Sequence, residues 1–248
     1  MKKKKESKLV YILILALLVG FYIFNKFYLS KRPIVYSNFG IAIPAGYNTH
    51  GIDVSRHQKE VDWNLVSKMR DKGQKISFAI MKATDGTYLT DRYFKTNWKN
   101  IKDYQLIRGA YLYFHPNISG KSQASYFISK VDLQSGDLPP VVDIEEVNGK
   151  SKMEIKKSLQ ECLDELEEKY DTKPIIYTNV SFYDQYLGDD FNDYPFWAAH
   201  YEKSSEPRTK RDWLIWQHNC KGRCNGIDAK VDFNVVNGSI FTLRDICL

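Results

Sequence analysis

The sequence predicts a mixed α/β fold in which eight strands close into a (β/α) barrel, preceded by one N-terminal transmembrane helix. Three observations support this prediction. From residue 50 onward, short apolar runs alternate with segments of helical periodicity, as expected when each strand is followed by a helix that crosses back over the sheet. A polar or aromatic residue stands at the end of each apolar run. The first 30 residues differ from the rest, since a lysine cluster is followed there by one long apolar stretch.

The N-terminal segment has the pattern of a membrane anchor. Residues 9–24 form an uncharged apolar run of 16 residues. As a helix this run would span about 24 Å, or about 31 Å if it continued to residue 29, against a bilayer core of about 30 Å. Since lysines precede the run and no small-residue cleavage site follows it, we expect residues 1–30 to be an uncleaved anchor, with the lysines cytoplasmic and the remaining chain outside. Secretion after signal cleavage is the alternative. Residues 31–45 are predicted to be a linker.

The formal charge of +6 belongs to the N-terminal segment rather than to the folded domain. Residues 1–32 hold eight of the 36 Lys and Arg residues but only one of the 30 acidic residues, which leaves 28 basic and 29 acidic residues in the remaining chain. A near-neutral domain gives no sign of the basic groove that binds nucleic acid. The basic excess therefore indicates membrane topology, and no nucleic-acid partner is expected.

The predicted elements follow the chain in order. Helices are expected at 61–72, 91–104 and 122–131, and a fourth begins at Ser151, where Ser151 and Glu154 have the spacing of a capping box. The crossovers after residue 179 are too short for full helices, so the last third of the barrel is expected to be irregular. The eight predicted strands are 50–54, 76–83, 106–114, 140–145, 173–179, 196–201, 213–218 and 231–236.

The strand ends carry the residues from which we predict a functional site. In (β/α) barrels the reactive groups lie at the carboxyl ends of the strands. Taken singly, each residue there is explained by packing or by an ion pair, but four carboxylates converging without a metal-binding pattern favour proton and charge chemistry on a neutral substrate. We therefore expect neither a metal nor another cofactor. The strand-end residues are Asp53, Lys82, Tyr113, Asp143, Glu145, Tyr177, Trp197, His200, Gln217 and Asp232.

The stretch 138–146 is central to this prediction. Side chains two apart on a strand point to the same side, so Asp143 and Glu145 are expected side by side, about 6–7 Å apart at Cα, with Glu146 on the opposite face. Burying two carboxylates together is costly unless they are paired or used. An acidic strand end that meets a lysine or a helix N-terminus is the alternative interpretation.

Eight short motifs, in this order along the chain, resemble those of the glycoside hydrolase family 25 lysozymes, which are N-acetylmuramidases. Each motif is weak by itself, whereas eight in one order are specific. They cover about three quarters of the chain. The motifs are His50-Gly-Ile-Asp-Val-Ser, Ile80-Met-Lys-Ala-Thr-Asp-Gly, Arg108-Gly-Ala-Tyr, Val142-Asp-Ile-Glu, Ile176-Tyr-Thr, Trp197-Ala-Ala-His-Tyr, Leu214-Ile-Trp-Gln and Val231-Asp-Phe-Asn-Val-Val-Asn-Gly.

This resemblance implies a flattened, irregular TIM-like barrel over residues 46–248 that cleaves the β-1,4 bond between N-acetylmuramic acid and N-acetylglucosamine in peptidoglycan with retention. Glu145 would be the general acid and Asp143 would orient the substrate acetamido group, which leaves open whether retention is substrate-assisted or passes through a covalent aspartate. Neighbouring carboxylates would raise the pKa of Glu145. Asp53 and Asp232 would line the same cleft. The implied substrate-binding residues are Tyr111, Tyr113, Lys82, Tyr177, Trp197 and Gln217.

One departure from the family motifs and two alternative functions qualify this resemblance. Leu112 stands where the family often has histidine, and strand alternation points it away from Tyr111 and Tyr113. A silent peptidoglycan-binding module, or a related glycosidase acting on chitin-like polysaccharide, would share the same motifs. The oligomeric state is left open.

The four cysteines are consistent with export. Cys220 and Cys224 lie across a glycine-containing turn, so a local disulfide is plausible there, and the disulfide state of all four cysteines is left open. Cys162 and Cys247 either pair or stay free.

Overall fold

A computed structural model describes residues 2–30, 32–201, 203 and 205–248, and within the first helix the side chains of residues 10–25. The strands are β1 (Ile34–Tyr36), β2 (Ile41–Ile43), β3 (His50–Val54), β4 (Arg70–Asp71), β5 (Gln74–Asp85), β6 (Leu89–Thr90), β7 (Ile107–Tyr113), β8 (Val141–Asp143), β9 (Ile175–Asn179), β10 (Phe196–Ala199), β11 (Ile215–Cys224) and β12 (Ile227–Val236). The helices are α1 (Lys2–Ser30), α2 (Trp63–Lys68), α3 (Phe94–Asn100), α4 (Gly120–Lys130), α5 (Lys152–Tyr170), α6 (Val180–Phe182) and α7 (Ile240–Arg244). Short 3₁₀ or π turns lie at Ile101–Tyr104, Tyr183–Leu187 and Gly188–Phe191.

Eight strands form a closed barrel, which confirms the predicted mixed α/β architecture. The strands are hydrogen-bonded in the order β3, β5, β7, β8, β9, β10, β11 and β12, and β12 pairs with β3 to complete the ring. Every pair from β3 to β11 is parallel, whereas β12 runs antiparallel to both of its neighbours. A hairpin joins β11 to β12, and Gly226 at its turn adopts a positive φ of 92°. Because the two strands are antiparallel, no crossover helix is needed between them.

Side chains fill the barrel interior in tight layers. Gly51 on β3 faces Phe78 on β5, and a Cβ at position 51 would approach the Phe78 ring to 2.4 Å. The glycine therefore leaves the space in which a fully buried phenylalanine fills the barrel. The other buried interior residues are Ile80, Leu138, Val141, Ile175, Tyr177, Trp197, Ala199, Ile215, Val236 and Leu243.

Residues 31–45, predicted as a linker, contain a hairpin that packs on the barrel. β1 and β2 pair antiparallel, and Phe39 between them is fully buried with its ring centroid 5.2 Å from that of Phe233 on β12. The Arg223 backbone N–H also donates to the Phe39 carbonyl at 2.8 Å. The hairpin thus covers the outer face of β11 and β12, which lack crossover helices.

The N-terminal helix α1 covers Lys2–Ser30. Within the part of the chain that the structure describes, no helix is long and apolar enough to cross a membrane. The transmembrane helix predicted in residues 1–30 is therefore not supported. The lysine cluster on which its orientation was predicted, residues 2–8, lies outside the described side chains.

Strand β8 is shorter than predicted. β8 ends at Asp143, although the Ile144 N–H still donates to the Tyr177 carbonyl at 3.0 Å and Ile144 is buried in the outer core. Glu145 lies in the loop that leads to α5 but remains beside Asp143 as predicted, since its charge raises the pKa of Asp143. The capping box at the start of α5 is confirmed, since the Ser151 and Glu154 side chains each bond the other's backbone N–H.

All four cysteines are free thiols, so the plausible Cys220–Cys224 disulfide is not formed in this structure. Both residues lie on the extended strand β11, where four residues span about 13 Å. A disulfide requires Cα atoms within about 7 Å. The turn that we expected between these residues lies instead after Cys224.

Candidate active site

One cavity of about 270 Å³ opens toward the carboxyl ends of the parallel barrel strands. It brings together all the predicted site residues except His200, namely Asp53, Lys82, Tyr111, Tyr113, Asp143, Glu145, Tyr177, Trp197, Gln217 and Asp232. Four further residues that sequence reasoning missed complete the lining, and they are Ser55, Arg56, His57 and Tyr201. His200 lies outside this lining, and its Nδ1 accepts the Arg208 backbone N–H at 3.0 Å.

Asp53 is held at the cavity floor by two side-chain amides. Asn234 Nδ2 donates to Asp53 Oδ2 at 2.7 Å, and Gln217 Nε2 donates to the same oxygen at 2.9 Å. Three aromatic residues fix the orientation of these amides. Trp197 Nε1 donates to Asn234 Oδ1 at 2.8 Å, so the Asn234 NH₂ group must face Asp53.

The Gln217 amide is oriented by two tyrosine hydroxyls. Tyr177 and Tyr201 donate to Gln217 Oε1 at 2.8 Å and 2.6 Å. The Gln217 NH₂ group therefore points to Asp53, and the Tyr177 ring in turn packs edge-on against Trp197 with centroids 4.5 Å apart. This network gives Asp53 one orientation and leaves its other oxygen, Oδ1, for the cavity.

Asp143 differs from Asp53 in having an unsatisfied oxygen. Its side chain is buried, and Oδ1 has no hydrogen-bond partner within the described part of the chain. Burial, followed by the nearby charge of Glu145, raises the pKa of Asp143 well above its usual range. Glu145 itself is exposed in the following loop. The pair therefore combines a buried carboxyl group of raised pKa with an exposed carboxyl group in the same cavity.

Asp53 and Asp232 face each other across the β3–β12 pair, where they are register partners. Because β12 is antiparallel, its early residue Asp232 lies at the same rim as the late residues of the parallel strands. Burial raises the pKa of Asp53 to about 6 against the lowering effect of its two amide donors. Burial, followed by the charge of Asp53, raises the pKa of Asp232 to about 8.

Lys82 is an ion-pair partner at the edge of the cavity. Its Nζ lies 2.7 Å from Asp85 Oδ2 and 4.4 Å from the centroid of the Tyr113 ring. His115 Nε2 lies 2.6 Å from the other Asp85 oxygen. Burial alone would raise the pKa of Asp85, but hydrogen bonds from Lys82 and His115 outweigh burial and lower it. Lys82 thus lies in the cavity with its charge already compensated.

Glu146 does not line the cavity, in agreement with the expectation that it points away from Asp143 and Glu145. It nevertheless contacts a residue of the lining, since the Tyr113 hydroxyl donates to Glu146 Oε1 at 2.9 Å. Leu112, by contrast, is fully buried in the outer core and does not line the cavity. No cluster of three or more His, Cys, Asp or Glu residues that could hold a metal ion occurs in the described part of the chain.

The family model for glycosyl hydrolases family 25 matches residues 52–227, which include most of the cavity lining. The chain belongs to glycosyl hydrolases family 25. It is therefore a glycoside hydrolase. Protein YegX of Escherichia coli K12 is 44% identical over 213 residues, which cover 86% of this chain and 78% of YegX.

Lysozymes are also among its similar proteins. Lysozyme M1 of Streptomyces globisporus is 34% identical over 205 residues, which cover 76% of this chain and 68% of that protein. The crystal structure of the bacterial lysozyme from Streptomyces coelicolor is 31% identical, with a TM-score of 0.73 over 82% of this chain and 98% of that one. This family 25 hydrolase is thus similar to lysozymes in both sequence and fold.

The buried carboxyl of Asp53 predicts a pH dependence of stability. Its pKa rises from 3.8 to about 6 on folding, so its contribution to stability is fully present below about pH 4 and is lost as the pH rises through 6. The loss is up to about 3 kcal/mol. Asp53→Asn removes this titration while keeping an oxygen that accepts both amide donors. Urea unfolding at pH 4.5 and pH 7.5 should show a smaller difference for the variant, and equal differences would contradict the assignment.

Proposed function

We propose that this family 25 hydrolase is an N-acetylmuramidase that cleaves the β-1,4 bond between N-acetylmuramic acid and N-acetylglucosamine in peptidoglycan, with retention. The observation that carries the proposal is the pairing of buried Asp143, whose Oδ1 has no partner, with exposed Glu145 in one tyrosine-lined cavity. Similarity to lysozymes supports the substrate class. Aromatic rings suit sugar faces, since they stack on apolar C–H surfaces while their hydroxyls form hydrogen bonds.

The two carboxyl groups have separate roles in the proposed reaction. An acetamido N–H of the muramyl residue donates to Asp143 Oδ1, which stabilises the carboxylate form and makes the proton of the pair available to Glu145. Glu145 gives this proton to the glycosidic oxygen while the acetamido oxygen attacks the anomeric carbon, and the leaving sugar departs as an alcohol. Glu145 then accepts a proton from the water that opens the cyclic intermediate, so both substitutions at the anomeric carbon together retain its configuration.

Asp53 stabilises the positive charge that develops at the anomeric carbon, whereas Asp232, whose pKa is raised to about 8 and which is therefore largely protonated near neutral pH, positions water. Their position opposite each other across β3 and β12 places both at the side of the cavity away from β8. A carboxylate near an oxocarbenium-like centre lowers the energy of the transition state more than that of the neutral substrate. Tyr111, Tyr177 and Trp197 bind the sugar faces in this arrangement.

Analysis of the products tests this proposal. Purified peptidoglycan is digested with the protein, and mass spectrometry after borohydride reduction identifies the sugar with the new reducing end. Reduced N-acetylmuramic acid is the expected product. Reduced N-acetylglucosamine, or activity on chitin oligomers alone, would show that the protein is a different glycosidase and not a muramidase. Binding without any new reducing end would indicate a silent module.

The bond between Tyr113 and Glu146 predicts a positioning effect on catalysis. It ties the loop that carries Glu145 to β7, so Tyr113→Phe and Glu146→Ala should each lower kcat about tenfold, since a hydrogen bond to a charged acceptor contributes about 1.5–3 kcal/mol. The double variant should lose no more than either single variant, because both remove one bond. Glu146→Gln keeps an acceptor and should retain most activity. Additive losses in kcat would show that the two residues act separately.

We also propose that residues 46–248 act outside the cytoplasmic membrane, because peptidoglycan lies there. The experiment is protease treatment of intact spheroplasts, followed by immunodetection of the domain. Degradation without lysis is expected, and protection until lysis would contradict this location. Fractionation of the same cells shows whether the protein is held at the membrane or released.

A further inference from the structure

The cavity has a cationic rim that the proposed reaction does not use. Arg56 and His57 line the cavity, and both are exposed. Lys82, the third basic residue of the lining, is paired with Asp85. The Arg56 guanidinium, in contrast, has no hydrogen bond or ion pair within the described part of the chain. An uncompensated cation therefore borders a cavity that is otherwise lined by carboxyl groups, tyrosines and amides.

The backbone beneath this guanidinium is firmly held. The Arg56 N–H donates to Asp91 Oδ2 at 2.6 Å, and Asp91 is buried. The Ser55 N–H donates to Gln58 Oε1 at 2.9 Å, and Gln58 Nε2 donates to the Lys230 carbonyl on β12 at 2.7 Å. The turn after β3 is thus fixed from both sides while the Arg56 side chain stays free. Such a fixed base reduces the entropic cost of holding an external anion.

The charges of the cavity explain why an anionic substrate needs this cation. Four carboxyl groups line the site, and a substrate carboxylate that approached them unaccompanied would be repelled. The raised pKa of Asp232 reduces this repulsion near neutral pH. A guanidinium at the rim then supplies the attraction, since its planar fork matches both oxygens of a carboxylate.

We propose that Arg56, with His57 beside it, forms a subsite that binds a carboxylate of the glycan substrate. The inference rests on the proposed muramidase function and specifies its substrate class. The carboxylate belongs either to the lactyl group of a muramyl residue that lacks a peptide or to the peptide attached there. Chitin-like polymers carry neither group, so the subsite favours muramyl glycans over neutral ones.

The test compares three substrates with wild type, Arg56→Gln and Arg92→Gln. The substrates are glycan strands without peptides, peptide-bearing strands, and peptide-free strands whose lactyl carboxylates are converted to amides. Arg56→Gln should raise KM about three- to tenfold on strands that carry the recognised carboxylate, with kcat unchanged and no effect on amidated strands. The first two substrates separate the lactyl source from the peptide source. Added salt should reduce the difference.

Arg92→Gln is the matched control, because Arg92 is exposed, carries the same charge and lies outside the cavity lining. Equal KM values for Arg56→Gln and wild type on all three substrates, or an equal rise on the amidated strands, would overturn the subsite while leaving the muramidase intact. Failure of wild type to cleave any strand would overturn the proposed function instead. Equilibrium binding of the same strands then decides the subsite, since a carboxylate preference lost in Arg56→Gln supports it and no preference refutes it.

Discussion

Glu145→Gln should lower kcat on peptidoglycan about 10²–10⁴-fold, the range that general acid–base groups contribute, with KM nearly unchanged. The amide has the shape of the carboxyl group but cannot transfer a proton to the glycosidic oxygen. Glu145 is exposed in the loop after β8, so the free energy of unfolding should stay within about 0.5 kcal/mol of wild type. Release of reducing ends, measured at several substrate concentrations, provides both kinetic constants.

Glu168→Gln is a suitable control for this variant. Glu168 is exposed on α5, so the substitution changes the charge equally at a position outside the cavity lining. Wild-type activity is expected. Binding of muropeptides by Glu145→Gln should persist, since the acid acts on the bond and not on the bound sugar. Wild-type turnover by Glu145→Gln would show that Glu145 is not the general acid and would favour another carboxyl group of the cavity in that role.

Arg108→Met should destabilise the protein by about 3–5 kcal/mol, because it leaves a buried carboxylate without its partner. Arg108 Nε and Nη2 donate to the two oxygens of Asp137 at 2.6 Å and 2.7 Å, and both residues are about 95% buried. Arg108 Nη1 also donates to the Trp98 carbonyl at 2.9 Å, and the guanidinium lies 3.8 Å from the Trp98 ring. Urea unfolding at neutral pH measures the effect.

Two further variants distinguish the effect of burial on stability from the effect of ion pairing itself. Lys156→Met removes the exposed Lys156–Asp190 pair, which has the same 2.7 Å separation, and should cost less than about 1 kcal/mol. Replacing both Arg108 and Asp137 by apolar residues should recover part of the loss, since no buried charge then remains. Equal costs for Arg108→Met and Lys156→Met would show that the buried pair has no special contribution.

The barrel strands could be predicted because each is an apolar run between polar ends, a local property of the sequence. The direction of a strand is not local, and the antiparallel β12 was therefore missed. A signal was present, since Asn225-Gly226 between two strand-forming segments is typical of a tight hairpin. The β1–β2 hairpin had no comparable signal, because its burial depends on the bare outer face of β11 and β12.

The cavity residues were predictable to the extent that they follow from strand ends. That rule accounts for Asp53 and Gln217. Asp232 was also named, but it lies at the same rim only because β12 is antiparallel, and the position of Asn234 depends on the register of β12 against β3. The sequence also did not predict that Glu145 lies in a loop or that Tyr113 forms a hydrogen bond with Glu146. β8 ends at Asp143, two residues before the predicted end, and nothing in the local pattern marks that point.

Closure of the barrel by its last strand ties formation of the site to the synthesis of β12. Asp53 depends on Gln217 and Asn234, which lie 164 and 181 residues later in the chain. A ribosome-bound fragment that ends before β12 has Asp53 without its Asn234 donor and without its facing carboxyl group, Asp232. Contacts so distant in sequence are also slow to form, because a long loop must close first. A nascent chain therefore acquires the complete surroundings of Asp53 only after β12 has left the ribosome.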